Sequence, residues 1–131
     1  MKYLLDSVAW LWSIATVERL SQPAREILDD PQQQVYFSAA TGWELSIKAR
    51  SGKLTLPGTP AECIPAFTTR QGLLPLPVTL THALRVYDLP LHHTDPFDRL
   101  LIAQAILEEM TLLTADRIFA KYPVDILWCG K

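Results

Sequence analysis

The feature that most constrains the fold is the alternation of short apolar runs with longer segments of helical spacing. The apolar runs are rich in β-branched, aromatic and leucine side chains, and each is too short to form a buried helix. They cover about Lys2–Leu5, Val35–Ala39, Leu73–Val78, Thr111–Asp116 and Val124–Cys129. Because crossover helices join parallel strands, this order predicts an α/β sandwich with a mostly parallel sheet.

Helix boundaries are marked most clearly in the segment HTDPFDRLLIAQAILEEM. Asp95 is suited to the N-cap, Pro96 to the first helical position and Asp98 to the third. The proline-rich LPGTPAECIPAF predicts only a connection with room for one short helix. One further helix is predicted from Ser7 or Val8 through Ala15, and another after a Ser21 cap with Pro23 in the first turn. The others lie around Trp43 as far as Gly52, from Thr79 or Thr81 onward, and as one turn in RIFAKY.

Composition limits the class of protein. The 131 residues suggest a single domain over residues 1–131, and the formal charge of −2 includes no basic tail that would indicate nucleic acid. Cys63 and Cys129 form no paired motif, which suits a reducing compartment. Asp6 interrupts the apolar N-terminus, and no run has the length of a membrane span. We expect a soluble, cytoplasmic protein.

Four carboxylates stand where a parallel sheet would bring them together. Asp6 ends the first strand, and Asp116 ends the fourth. Glu44 lies in the first turns of the helix after the second strand, and Asp98 lies in the first turn of the helix before the fourth. Sites in open parallel sheets form outside the carboxyl ends of the strands, so these acids can converge at one edge.

Each acid also has a purely structural interpretation. Asp98 can favour a helix N-terminus as an anion, Asp116 can cap a helix, and Asp6 can cap the helix that follows it. Glu44 can pair with Lys48 one helical turn away on a solvated face. As a set, four clustered carboxylates repel one another unless cations neutralise them, and oxygen-rich clusters suit Mg²⁺. Metal sites of this kind hydrolyse phosphodiesters.

Other constellations are weaker. No P-loop, dinucleotide fingerprint or nucleophile triad is present. His92 and His93 lack the spacing of a zinc site, so a loop role is favoured for both. Asp95 is expected to cap a helix, at the rim of any site around Asp98. The four tryptophans are expected in the core or at an interface rather than as base-stacking platforms: Trp10, Trp12, Trp43 and Trp128.

The stretches YLLDSVAWLW, SAATGWELSIKARSGKL, HHTDPFDRLLIAQA and LLTAD occur in this order over nearly the whole chain. Together they resemble the PIN domain family, and within it the VapC-type toxins of bacterial toxin–antitoxin pairs. The resemblance implies a three-layer α/β/α sandwich with a central parallel sheet. It further implies Mg²⁺- or Mn²⁺-dependent endoribonuclease activity on RNA, a cognate antitoxin partner and a homodimer. The alternative is a non-catalytic PIN-like domain that binds RNA or protein.

The resemblance also assigns roles to residues. Asp6 and Asp98 would be the principal metal ligands, and Glu44 and Asp116 would complete the site, partly through water. Ser7 would orient Asp6 or a metal-bound water, and Thr114 would support Asp116. Candidates for phosphate contacts, each equally explicable as a solvated surface charge, are Lys48, Arg50, Lys53, Arg99 and Arg117.

Overall fold

Five short strands form one sheet in the order β3-β2-β1-β4-β5, and every neighbouring pair is parallel. The computed structural model describes all residues, 1–131. The strands are β1 (Lys2–Leu5), β2 (Gln34–Ser38), β3 (Leu74–Leu76), β4 (Thr111–Thr114) and β5 (Ile126–Trp128). The strand order reverses direction between β1 and β4, and this switch point places a crevice at their carboxyl ends.

Helices cover both faces of the sheet. They are α1 (Ser7–Ala15), α2 (Gln22–Asp29), α3 (Ala39–Arg50), α4 (Pro60–Gln71), α5 (Leu80–Arg85) and α6 (Pro96–Leu107), with 3₁₀ turns at Val17–Arg19, Val86–Asp88 and Arg117–Lys121. Residues of β1 alternate between two cores: Tyr3 and Leu5 pack with α1, α2 and α4, whereas Leu4 packs with α6. The architecture is the expected three-layer sandwich, and its sheet is entirely parallel.

The prediction of only a short helix in the proline-rich segment LPGTPAECIPAF is wrong, because helix α4 begins in that segment and continues for 12 residues to Gln71. Thr59 and Glu62 form a reciprocal capping box, Pro60 occupies the first turn, and Gly72 ends the helix at a φ of +72°. Only Pro65 interrupts the interior of the helix. The start and stop signals of this segment therefore outweigh its proline content.

Strands β2, β3, β4 and β5 all end earlier than predicted, and after β2 and β4 a polar side chain begins the next element. The hydroxyl of Ser38 accepts a hydrogen bond from the Ala40 N–H and donates one to Gln104 Oε1 at 2.6 Å, so β2 ends there and α3 starts at Ala39. Asp116 caps the 3₁₀ turn after β4 and is not part of the strand. None of the helices has the length and apolar character needed to cross a membrane.

Candidate functional site

Asp6 lies at the carboxyl end of β1, at the switch point of the sheet. Its Oδ1 accepts a hydrogen bond from the Ala9 N–H at 2.8 Å, and its Oδ2 accepts one from Thr114 Oγ1 at 2.6 Å. The residue is 4% exposed. Burial raises the pKa of the carboxyl from 3.8 to about 6, although both hydrogen bonds act in the opposite direction. Asp6 therefore caps α1 and faces the acidic crevice, so its two interpretations are compatible.

Asp98 enters the same crevice from the first turn of α6. Asp95 caps this helix as expected, with Oδ1 accepting from the N–H groups of Phe97 and Asp98. The pKa of Asp98 rises from 3.8 to about 8, chiefly through burial and then through Asp95 and the other acids, Glu44, Asp6 and Asp116. A carboxyl in this position retains a proton at neutral pH unless a cation is present.

Asp116 is the third acid of the crevice. Its Oδ1 caps the following turn by accepting from the Ile118 N–H at 3.0 Å. Its own N–H donates to Thr114 Oγ1 at 3.0 Å. Thr114 thus connects Asp6 and Asp116 through one hydroxyl. Ser7 is buried beside Asp6, but its hydroxyl makes no hydrogen bond to that carboxylate.

His93 belongs to the cluster, which corrects the loop role favoured for it from sequence. Its Nε2 lies 3.0 Å from Asp98 Oδ2 and 3.0 Å from Asp116 Oδ2. One ligand atom from each of these three residues lies within 4.8 Å of the others. Because Nδ1 accepts from the Asp95 N–H at 3.2 Å, the ring proton is on Nε2 and is directed at the two acids.

Tyr122 holds the loop that carries His93. The tyrosine hydroxyl accepts from the N–H groups of His92 and His93, at 3.1 and 2.7 Å. The ring of His92 packs edge-on against Tyr122, so a loop role holds for that histidine. The one sequence signal for His93 was its place in the segment leading into the Asp95 cap and Asp98.

Glu44 approaches from α3 and is 3% exposed. Its Oε2 accepts from Lys48 Nζ at 2.7 Å, whereas its Oε1 is buried without a hydrogen-bond partner. The pairing with Lys48 is as predicted, but the carboxylate does not lie on a solvated face. The hydrogen bond that Lys48 donates to Glu44 also raises the pKa of Lys48. A buried acceptor without a partner is costly, and a cation would satisfy it.

Arg99 is not available to bind phosphate, and the prediction for this residue is wrong. It is 8% exposed, and its guanidinium is occupied by the chain itself. The acceptors are the backbone carbonyls of Val86, Leu89, Pro90 and His93 and the hydroxyl of Tyr122. Arg99 thereby holds the loop that positions His93 and Asp95. Lys48 and Arg117 remain at the surface.

The donor set suits a hard divalent cation. Asp98, Asp116 and His93 each place one ligand atom close to those of the other two. The charges of Asp6 and Glu44 are near enough to raise the pKa of Asp98. Oxygen ligands dominate, one buried carboxylate oxygen is free, and the pKa values of Asp6 and Asp98 are raised by burial and by neighbouring carboxylates. A cation bound here would lower both of these pKa values.

Comparison with known proteins agrees with this geometry. The sequence model of the PIN domain matches residues 3–125. The chain belongs to the PIN domain family. Ribonuclease VapC16 from Mycobacterium tuberculosis is 38% identical over 58 residues, which are 44% of this PIN domain and 41% of that protein. The chain thus matches less than half the length of this curated relative.

Solved structures show the same fold at low sequence identity. VapBC2 from Rickettsia felis, bound to a promoter DNA fragment, superposes with a TM-score of 0.75 at 17% identity, covering 97% of this chain and 98% of the other. DNA-bound VapBC from Salmonella typhimurium gives 0.72 at 19% identity, covering 97% of both chains. The family and the fold inferred from the sequence motifs are therefore confirmed.

Proposed function

We propose that this PIN domain is a divalent-metal-dependent endoribonuclease and the toxin component of a toxin–antitoxin pair. The observation that carries the proposal is the convergence of Asp6, Asp98 and Asp116 at the switch point between β1 and β4. The partial match to a protein named as a ribonuclease and the fold shared with VapBC complexes support it. We further propose that the protein is cytoplasmic, consists of a single domain, forms a homodimer and binds a cognate antitoxin.

Asp6 and Asp98 are proposed as the principal ligands of Mg²⁺ or Mn²⁺, with Glu44 and Asp116 completing the site. When bound, the ion supplies activation of water and stabilisation of negative charge on the phosphodiester. The protein contributes the environment that favours binding of the ion. Burial of Asp6 and Asp98 makes an unneutralised cluster unfavourable, which favours cation binding.

Several neighbouring groups position these acids. Thr114 donates to the carboxylate of Asp6, which orients it, and accepts from the backbone N–H of Asp116, which holds the main chain there. His93 donates its Nε2 proton to the oxygens of Asp98 and Asp116. Groups of this kind, which hold metal ligands in place, commonly contribute about 10- to 100-fold in metal affinity. Ser7 is proposed to support Asp6 through a bound water.

Phosphate contacts are proposed for Lys48 and Arg117. Lys48 is exposed and lies beside Glu44, and Arg117 is exposed immediately after Asp116. Cations at the edge of an acidic site attract the phosphate backbone without reading its sequence.

The test is cleavage of cellular RNA by the purified protein with Mn²⁺, Mg²⁺ or a chelator. We expect cleavage only with metal, and we expect Asp6→Asn to abolish it, because the shape is kept and the anionic ligand is lost. Asp125→Asn is the matched control, because this exposed acid directly precedes β5 and so lies at the amino ends of the strands, away from the site. Equal cleavage by wild type and Asp6→Asn contradicts the assignment.

Calorimetric titration with Mn²⁺ separates the catalytic function from non-catalytic binding. We expect one saturable binding event in the wild type and a large loss of affinity in Asp6→Asn. Absence of binding at millimolar metal would favour a PIN domain that binds RNA or protein without cutting it.

A further inference from the structure

We propose that a pocket beside the acidic cluster binds one nucleobase of the RNA, next to the phosphate that the acids address. This inference rests on the proposed endoribonuclease function. The pocket has a volume of about 380 Å³, within the size range of small-ligand sites. Asp6 and Asp116 form one side of it. An occupant of the pocket would therefore lie next to the proposed metal site.

The lining of the pocket also includes aromatic side chains. Trp12 from α1 and Trp128 from β5 both line it, and each is only partly buried. Val8, one helical turn before Trp12, contributes an apolar side chain that is 45% exposed. Trp10 points the other way, is fully buried and packs edge-on against Phe37. The helix thus separates a core tryptophan from a tryptophan directed at the pocket.

The position of Trp128 is set by its surroundings. A Cβ atom at Gly130 would lie 3.2 Å from three atoms of the indole, so the absence of a side chain there leaves room for the ring. The guanidinium of Arg117 lies 4.7 Å from the ring centroid. Indoles and stacked guanidinium groups are the flat surfaces on which proteins stack single-stranded bases.

The pocket lining also contains charges of both signs. The two carboxylates need a cation before a phosphate can approach, and Arg117 is the one cationic side chain in the lining. A nucleotide matches this arrangement, with its base against the indoles and its phosphate toward the metal-loaded acids. These observations also set Trp12 and Trp128 apart from the core or interface role expected from sequence.

The experiment compares nucleoside 5′-monophosphates with ribose 5-phosphate, which has the same sugar phosphate and no base. Calorimetry in the presence of Mn²⁺ measures both. We expect at least one of the four nucleotides to bind roughly 5- to 100-fold more tightly than ribose 5-phosphate, as base–aromatic stacking predicts. Trp12→Leu should remove this difference while ribose 5-phosphate binding stays unchanged.

Two further variants keep the result interpretable. Arg117→Gln alters an exposed side chain outside the core and should also weaken nucleotide binding. Tyr87→Leu removes an aromatic ring that is 92% exposed and lies outside the pocket, and it should have no effect. Thermal melting of each variant checks that the fold is intact.

Equal binding of the nucleotides and ribose 5-phosphate overturns the inference, and so does absence of binding by both probes. If Trp12→Leu leaves the difference unchanged, the pocket serves another occupant, such as an apolar side chain of a protein partner, and the inference is again overturned. None of these results affects the proposed nuclease activity, which the Asp6→Asn cleavage test decides separately.

Discussion

Replacing Asp98 by Asn should stabilise the metal-free protein, and the gain should depend on pH. The carboxyl has an ordinary pKa of 3.8, and its environment in the folded protein raises that pKa to about 8. Between these values the folded protein holds a proton that the unfolded chain has released. Folded stability therefore falls as pH rises from about 4 to about 8, and it levels off above pH 8. Because Asn does not ionise, it does not cause this fall in the free energy of unfolding as pH rises.

The size of the effect follows from the two pKa values. One pKa unit corresponds to about 1.4 kcal/mol, so the roughly three units between 3.8 and pH 7 correspond to about 4 kcal/mol. The side chain is 18% exposed, and water and buffer cations that reach it reduce this value. We expect Asp98→Asn to gain about 2 kcal/mol at pH 7 and nothing near pH 4.

The assay is urea unfolding in chelator, from pH 4 to pH 9, followed by circular dichroism. Asp98→Asn should retain only the weaker pH dependence that comes from Asp6, whose pKa is about 6 in the folded protein. Asp125→Asn, which removes an exposed acid before β5, should follow the wild type. Saturating Mn²⁺ should stabilise the wild type more than Asp98→Asn. Parallel pH profiles for wild type and Asp98→Asn in chelator would refute the reasoning.

Three further predictions concern His93, Arg99 and Thr59. His93→Ala should weaken Mn²⁺ binding by about 10-fold or more in calorimetry, and His93→Gln, whose amide can still donate, should lose less. Unchanged affinity in His93→Ala would contradict the positioning role. Arg99→Met should lower the free energy of unfolding in urea by about 3 kcal/mol, because it strands buried carbonyls, whereas exposed Arg50→Met should change it by less than about 0.5 kcal/mol. Thr59→Ala should cost about 1 kcal/mol in the same assay, through loss of the capping box of α4, and an unchanged midpoint would argue against it.

Elements with strong local signals were predictable. The Asp95 cap and the helix after it, the Ser21 cap of α2 and the helical turn after Asp116 all follow from residues within one or two turns of the chain. The prolines of the segment predict too short a helix, although the T-x-x-E capping box and Gly72 mark the two ends of α4. All of these signals act locally, so a sequence contains them directly.

The sequence alone determined the parallel α/β architecture, the order of the acids and their convergence at one sheet edge. Tertiary structure decided how each side chain is used. Asp6 meets Thr114 across 108 residues of chain, and only that packing determines its burial and its raised pKa. The burial of Arg99 among backbone carbonyls and the contact of His93 with Asp98 and Asp116 depend on tertiary packing for the same reason. Periodicity is a property of neighbouring residues, whereas desolvation and hydrogen-bond partners depend on what the rest of the chain places beside them.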